Sequence, residues 1–433
     1  MSSIYTYRTL ARIVLEAETP LKIGSGEKDI TTDAGISLDV NGLPYIPGSA
    51  IAGVIRHALP EDLVEKVFGS SKNHTGSEII FTDANLMYEQ GRTVDGILSE
   101  KPPFLKIYDD LPIRQHVCIG HRGAAENHGK YDEAVIFAGS RFCFEMELLS
   151  GAEGTETMGR ILSVLYRSHF RLGGGSRKGF GKVKVIKADI ASLNLSKEED
   201  LRLYLAKSAS LNAKWAGWAP FRSLSSTEDP DWVTRTVTLK PEDFFLFSSG
   251  FGDDDADSAP VKETRVAWNG DIPAIGTEFC LVPGSSVKGA LAHRVAYHYN
   301  RLTGQFADKV SPEEITGQNN AAVKALFGDT AARGRVIISD LFIKGDTKLI
   351  NHNSIDDFTG GTLDGHLFTE KVLFGNDLSL ILEISVDEAA FGTEEVRVAL
   401  NCAIADLCNG RLPLGNGVNK GHGAFKGTID KPF

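Results

Sequence analysis

The sequence predicts an α+β fold in which one module is repeated in tandem. Three observations carry that reading. Four short patterns occur twice in the same order. Each repeat opens on a strand-like run and closes through a helix and a glycine-rich loop into another strand. The chain has 433 residues, 42% hydrophobic and 24% charged, enough apolar material for two cores.

The repeats set the domain organisation. Pro47-Gly48-Ser49-Ala50-Ile51-Ala52-Gly53 is echoed by Pro283-Gly284-Ser285-Ser286-Val287-Lys288-Gly289. Val67-Phe68-Gly69, with Phe81-Thr82-Asp83-Ala84 beyond it, returns as Leu326-Phe327-Gly328 with Ile338-Ser339-Asp340. Cys118-Ile119-Gly120-His121-Arg122-Gly123-Ala124, leading to Glu133, returns as Ser354-Ile355-Asp356-Asp357-Phe358-Thr359-Gly360-Gly361, leading to Glu370. Leu172-Gly173-Gly174-Gly175-Ser176-Arg177-Lys178-Gly179-Phe180-Gly181 returns as Leu414-Gly415-Asn416-Gly417-Val418-Asn419-Lys420-Gly421-His422-Gly423. Pro47 to Pro283 and Ile119 to Ile355 span the same 236 residues. The expected organisation is a first module over 1–200, a connector over 201–230 and a second module over 231–433. Lys197-Glu198-Glu199-Asp200 and the stretch Ser223 to Asp231 read as a surface connection, and the leucine spacing from Leu201 to Leu211 gives it helical character. Gly252 to Ser258 is a further loop inside the second copy.

Within a copy the elements follow one order. Arg12 to Ala17 and Thr234 to Leu239 carry the β-branched enrichment of strands. A Gly/Asp-rich loop comes next, then Pro-Gly-Ser and an amphipathic helix. Ser49 and Ser285 stand where an N-cap is expected, before the helical spacing Ile51, Ile55, Leu59 and Val287, Leu291. Short strands fill the middle. Helices over Thr157 to Phe170 and Glu394 to Asn409 precede the glycine-rich loops, and Lys182 to Ile186 continues as a strand. Strand, helix, strands, helix, strand is a ferredoxin-like (RRM-like) arrangement with insertions.

Composition narrows the function. A net charge of −11 argues against coating nucleic acid over the whole surface, while leaving room for local basic patches and helix N-termini that hold phosphates. The N-terminus lacks a secretory layout and no apolar run is long enough for a bilayer, so no membrane partner is expected. Five sparse cysteines do not form a disulfide framework, which points to a reducing cytoplasm.

The glycine-rich loops resemble phosphate cradles, because glycine lets backbone N–H groups approach a phosphate and lysine adds charge. Candidate RNA-binding residues are Arg171, Gly173, Gly174, Gly175, Ser176, Arg177 and Lys178 in the first copy, and Gly415, Gly417, Asn419 and Lys420 in the second. Neither loop fits GxxxxGK[ST], and a lysine stands at the third glycine position of a dinucleotide fingerprint. The plainer alternative is a tight helix-to-strand turn. The Pro-Gly-Ser helix starts are the second candidate phosphate site, through Ser49, Ser285, Ser286 and the cations Arg56, Lys288 and Arg294; plain capping and a solvated face are the alternatives. His116-x-Cys118-x-x-His121, with His128, offers too few sulfur ligands for a zinc site, so these read as solvated histidines and no side chain is assigned to a structural metal.

Gly42-Leu43-Pro44-Tyr45-Ile46-Pro47-Gly48-Ser49 resembles the signature of the RAMP superfamily, and Ile355-Asp356-Asp357-Phe358-Thr359-Gly360-Gly361 resembles its Ile-Asp-Arg-x-Thr-Gly element. The resemblance covers nearly the whole chain, twice. It is closest to the backbone subunits of type III CRISPR effector complexes, and the tandem fusion is similar to type III-D systems. It implies copies that stack along a guide crRNA, with the Pro-Gly-Ser helix and the glycine-rich loop lining the groove. It implies thumb hairpins, here carrying Ile119 and Arg122 in one copy and Ile355, Phe358 and Thr359 in the other. It also implies cleavage of paired target RNA by a loop aspartate with a divalent metal, Mg2+ or Mn2+, inside a complex with other CRISPR effector subunits.

On this pattern the catalytic residues are Asp33 and Asp257, each with an acidic residue six positions on, Asp39 and Glu263. A carboxylate can hold a metal or orient the attacking 2′-hydroxyl. The alternatives are an Asx-turn at Asp33 and a solvated acidic loop at Asp257 beside Asp253, Asp254 and Asp255. Ala52 stands where the second copy has Lys288, Gly120-His121 replaces the acidic residue before Arg122, and Asp357 replaces the thumb arginine. The rival readings are a non-catalytic scaffold and an endonuclease that processes guide precursors.

Overall fold

Alternation of buried and half-buried residues along Tyr7–Ala17 gives β1, one face of which lies in the core. After it come α1 (Gly48–Ala58), α2 (Glu61–Phe68), β2 (Ile79–Phe81), β3 (Asn85–Tyr88) and β4 (Arg92–Thr93). A hairpin, β5 (Ile113–Ile119) and β6 (Ala125–Ala134), leads to β7 (Arg141–Ser150), α3 (Thr155–Ser163) and β8 (Val183–Asn194). β8 and β7 flank β1, and β2 and β3 continue beyond β7, all antiparallel. This is the ferredoxin-like order. The structure, a computed structural model, describes residues 5–26, 35–70, 74–120, 123–222, 229–375 and 377–433.

A linking segment holds α4 (Glu198–Leu205) and β9 (Ala219–Pro220), which extends the first sheet beside β8. The second module starts at β10 (Trp232–Pro241) and continues with β11 (Lys262–Asn269), β12 (Ile272–Val282), α5 (Gly284–Thr303), α6 (Pro312–Ile315) and α7 (Ala321–Phe327). Then come β13 (Val336–Ile338), β14 (Leu341–Ile343), the hairpin β15 (Asp346–Ile355) and β16 (Thr362–Phe374), β17 (Leu380–Asp387), α8 (Glu394–Cys408) and β18 (Phe425–Ile429). Its sheet, β13-β17-β10-β18, repeats the order of the first. The fold is therefore α+β with two ferredoxin-like repeats, each bearing a projecting hairpin. Among the described residues no helix is long and apolar enough to cross a membrane.

Two expectations differ in detail. The helix predicted over Thr157 to Phe170 stops at Ser163, runs one 3-10 turn to Tyr166, and becomes extended at Arg167, whose side chain donates to the Ala58 carbonyl (2.7 Å). The loop predicted before Pro283 contains the β11–β12 hairpin instead. Its signal was present as Asn269-Gly270 between two alternating runs, with Gly270 at φ +61°.

That hairpin joins the two modules. Val266 is buried in the first module's core, its N–H donates to the Ala138 carbonyl (2.8 Å), and Trp268 Nε1 donates to the Gly139 carbonyl (2.7 Å). Gly139 sits at φ +85°, and a Cβ there would collide with the Val266 carbonyl. Arg114 on β5 is buried between Glu263 and Asp340 of the second module, paired with both. The second core, under β10 and β17, is packed by α5, α7 and α8.

Candidate nucleic-acid interface

Both Pro-Gly-Ser helices begin differently from the expected capping. Pro47 and Pro283 occupy the N-cap, and Ser49 and Ser285 lie inside the first turn with no capping hydrogen bond. Pro at the cap has no side-chain acceptor, so the cap comes from elsewhere. Asp83 accepts from Gly48 N and Asp340 from Gly284 N, both at 2.8 Å. This explains why the Asp of the second repeated pattern recurs. Ser49, Ser286 and Arg56 are exposed, leaving the first turns open to a ligand.

The glycine-rich loops are pinned turns. Gly174 N donates to Lys22 O, Lys178 N to Gly175 O and Gly181 N to Pro20 O. The second loop repeats this with Asn416 N to Leu246 O, Lys420 N to Gly417 O and Gly423 N to Phe244 O. Gly173, Gly175, Gly415 and Gly417 all have positive φ. A Cβ on Gly173 would meet the Lys22 carbonyl, and one on Gly415 the Leu246 carbonyl. The glycines thus serve the turn itself, and several amides of the supposed cradle are already used.

The loop lysines are committed too, identically in both copies. Lys178 Nζ reaches Glu133 (3.1 Å) and lies over Tyr131 (4.5 Å); Lys420 Nζ reaches Glu370 (2.8 Å) and lies over Phe368 (4.3 Å). His116 stacks on Tyr131 and faces Glu133 (3.4 Å), as His352 stacks on Phe368 and faces Glu370 (2.8 Å). Lys22 also pairs with Glu133. Burial pushes the Glu133 carboxyl up, but His116, Lys22 and Lys178 outweigh it and hold it well below the usual carboxylate range. Lys420 and His352 likewise outweigh burial at Glu370. Each constellation ties a glycine-rich loop to the base of its hairpin.

Two predicted RNA contacts are structural. Arg171 is 6% exposed and donates to the Ser168 and Phe170 carbonyls and to Ser339 Oγ (2.8 Å) across the modules. Arg294 pairs with Asp406 (2.6 Å), which also binds the buried His298 (2.6 Å). Arg171 is occupied through burial at the module contact and Arg294 through its ion pair, and the sequence shows neither partner.

What remains converges at the seam between modules. Gly179 of the first loop lies against the start of α5: a Cβ on Gly284 would be 3.1 Å from its Cα. Arg177 donates to the Gly334 carbonyl (2.7 Å), and Ser176 Oγ accepts from Arg333 (3.4 Å). Burial works against the Arg177 charge, as do Arg333 and Arg171 beside it. Burial also pushes the Lys288 ammonium down, and Arg177 and Lys178 add to the effect. Lys288 of one copy thus lies near Arg177 and Lys178 of the other. In the sequence they belong to separate motifs. Arg333, in the turn after α7, belongs to no repeated motif and was missed.

The hairpin tips carry Ile119 (44% exposed) on one side and Ile355 (55%) and Phe358 (98%) on the other. Thr359 closes the second tip through Asp356, which accepts its N–H (2.6 Å) and Oγ1 (2.8 Å). Asn419 is exposed beside Lys420. Asp33, Arg122 and His121 lie outside the described residues. Asp257 is exposed and accepts from Thr369 N (2.8 Å). Lys371 binds both Asp253 (2.5 Å) and Asp255 (2.8 Å), which relieves the crowding of acids there. Asp39 Oδ1 caps the turn at Asn41 and Leu43, and Glu263 is held by Arg114. Cys118 Sγ faces Glu126 (3.3 Å) while His116 points to Glu133. Among the described residues no three His, Cys, Asp or Glu side chains form a metal-holding group.

A family model described as the RAMP superfamily matches residues 14–184 and 252–426, one match per module. Among solved structures, a chain of the cryo-EM structure of the Type III-B Cmr-beta bound to cognate target RNA is similar at 20% identity and TM-score 0.31. That match covers 42% of this chain and 60% of the solved one. No curated relative matches the chain.

Proposed function

The chain belongs to the RAMP superfamily, and we propose that it is a guide-crRNA-binding backbone subunit of a type III CRISPR effector complex. The observation that carries the reading is the seam. Lys288 is part-buried among Arg177 and Lys178, with Arg333 close by, at the start of the 20-residue helix α5. Cations held this close repel one another, and a polyanion relieves them. A single RNA strand along the seam would meet the N–H groups of the first helical turn together with these side chains. The exposed Phe358 offers a stacking surface for a base of paired target RNA. Other effector subunits are the expected further partners.

Cleavage of target RNA is proposed for the first module, at Asp33, with a divalent ion, Mg2+ or Mn2+. The ion would supply positive charge at the attacked phosphate. At Asp257 the residues do not fit a metal. The Lys371 ammonium already lies between Asp253 and Asp255, and Asp257 is engaged by the Thr369 amide. The second module is therefore proposed to bind without cutting.

Filter binding of guide RNA to the full chain tests the seam. Lys288→Glu with Arg333→Glu should lower the slope of log affinity against log salt by roughly 1.4, about 0.7 per lost contact. Unchanged affinity and slope would refute the seam. Asp33→Ala in the assembled complex should remove a cut from the target and leave guide binding intact.

A further inference from the structure

At the internal seam, Lys182 of the first module reaches Glu383 on β17 (2.7 Å). Strand register makes Glu145 on β7 the first module's counterpart of Glu383. Arg12 faces Glu145 as Thr236 faces Glu383, and Phe81 pairs with Met146 as Ile338 pairs with Ile384. Glu145 is also occupied, by Lys207 of the linking segment (2.6 Å), with both side chains about one-tenth exposed. The neighbouring position repeats the relation. Ser385 bonds Thr234, which meets Ser168 of the first module, while the counterpart Glu147 accepts from Tyr204 of the linking segment (2.7 Å). The outer sheet face that receives a module in the second repeat receives the linking segment in the first.

The segment is built into that face. Arg12 donates to the Ala213 carbonyl (3.0 Å), and Asn212 closes two hydrogen bonds with the Thr93 backbone (2.7 and 2.9 Å). Leu211 packs with Met87 and Cys143, and β9 covers part of the edge of β8. Among the described residues, no neighbouring module covers the second glycine-rich loop at Gly421. Gly421, counterpart of Gly179, has nothing within 4 Å, whereas a Cβ on Gly179 would strike Asp340.

We propose that Glu198–Pro220 is an intramolecular stand-in for a preceding module. It fills the face on which another ferredoxin-like module would dock, so the stack terminates there, and further modules can add only at the second glycine-rich loop. Head-to-tail contacts are heterologous and propagate unless something ends them. The inference goes beyond RNA binding and does not depend on it.

The test uses the full chain carrying Ala424→Lys. Glu18 N bonds Lys182 O as Glu242 N bonds Ala424 O, so this substitution gives the open end the lysine of the internal seam. In that background Tyr204→Phe with Lys207→Ser, and separately Leu211→Asp, should release the segment, read as a red shift of Trp215 and Trp218 emission. The second variant leaves Glu145 and its partners untouched, so a folding defect peculiar to one variant does not decide the result. Sedimentation should then show self-association at least tenfold tighter than with the segment seated. Adding Glu145→Gln should return it to the seated value. The proposal is overturned if neither variant shifts the emission, if release leaves association unchanged, or if association survives Glu145→Gln.

Discussion

Arg114→Ala probes whether the two modules stand as one folding unit. The Arg114 side chain is 5% exposed, between Glu263 at 9% and Asp340 at 0%. Removing the guanidinium leaves two carboxylates in a site where burial already pushes the Asp340 carboxyl up. Breaking a buried pair from one side costs about 3–5 kcal/mol, because the abandoned charge keeps its desolvation penalty. Here two charges are abandoned, so the upper end of that range is expected. Urea unfolding followed by circular dichroism measures it: the parent should unfold in one cooperative transition, which should split in the variant as the second module loosens from the first. A loss below about 1 kcal/mol with one transition retained would refute the reasoning, since exposed pairs are worth that little. Glu263→Gln is the companion variant. It should lower stability in the same direction, because Glu263 is buried against Arg114.

Lys288→Met should raise the melting temperature of the RNA-free chain by a few degrees while weakening guide RNA binding about tenfold, since it removes both a repulsion and a phosphate contact; differential scanning fluorimetry and filter binding give the two readouts. His169, stacked on Trp232 at 4.5 Å, is pushed by burial from 6.5 down to about 4. The unfolded chain binds that proton more readily, so stability is full above pH 6.5 and falls as the pH drops towards 4; His169→Phe should flatten that limb of a urea-midpoint series. The lowered Glu133 and Glu370 carboxyls give stability that is present above their ordinary value of 4.5 and lost as the pH falls below it. Glu133→Gln with Glu370→Gln should shrink that acid loss, checked in the same series. Phe358→Ala should leave guide affinity unchanged and weaken target engagement, measured with matched RNA on the assembled complex.

The duplication, both sheets' central strands and the closing helices were legible because they rest on local patterns: β-branched runs, helical spacing and repeated glycines. The hairpins that carry Ile119 and Phe358 are implied by the family resemblance, not by these local patterns. Side-chain partners were not legible. Arg171 and Arg294 carry the residue type of a phosphate contact, yet one is buried beneath the neighbouring module and the other pairs with Asp406, 112 residues away. In the sequence Lys178 and Lys420 look like cradle charges, because Glu133 and Glu370, at the end of another motif, give no sign of how close they come. The helix caps show the same limit. Serine after Pro-Gly is a sound local guess for a cap, but proline took the position and a strand-end aspartate supplied the acceptor. Arg333 could not be found at all, since only the docking of two modules gives it a role.

The β11–β12 hairpin has a consequence for how such a chain can be made. Val266 completes a hydrophobic core whose other buried members all precede residue 184, and Trp268 packs against it. A ribosome releases that core unfinished and supplies its last pieces only after the linking segment and β10 have emerged. The first half must wait, partly open, for a wedge encoded far downstream. Two genes, each encoding one module, could reach the same arrangement only if the wedge found its slot from another molecule, at the mercy of concentration. Fusion turns that encounter into a short search within one chain. The hairpin therefore makes the tandem arrangement a condition of folding as well as a count of binding units.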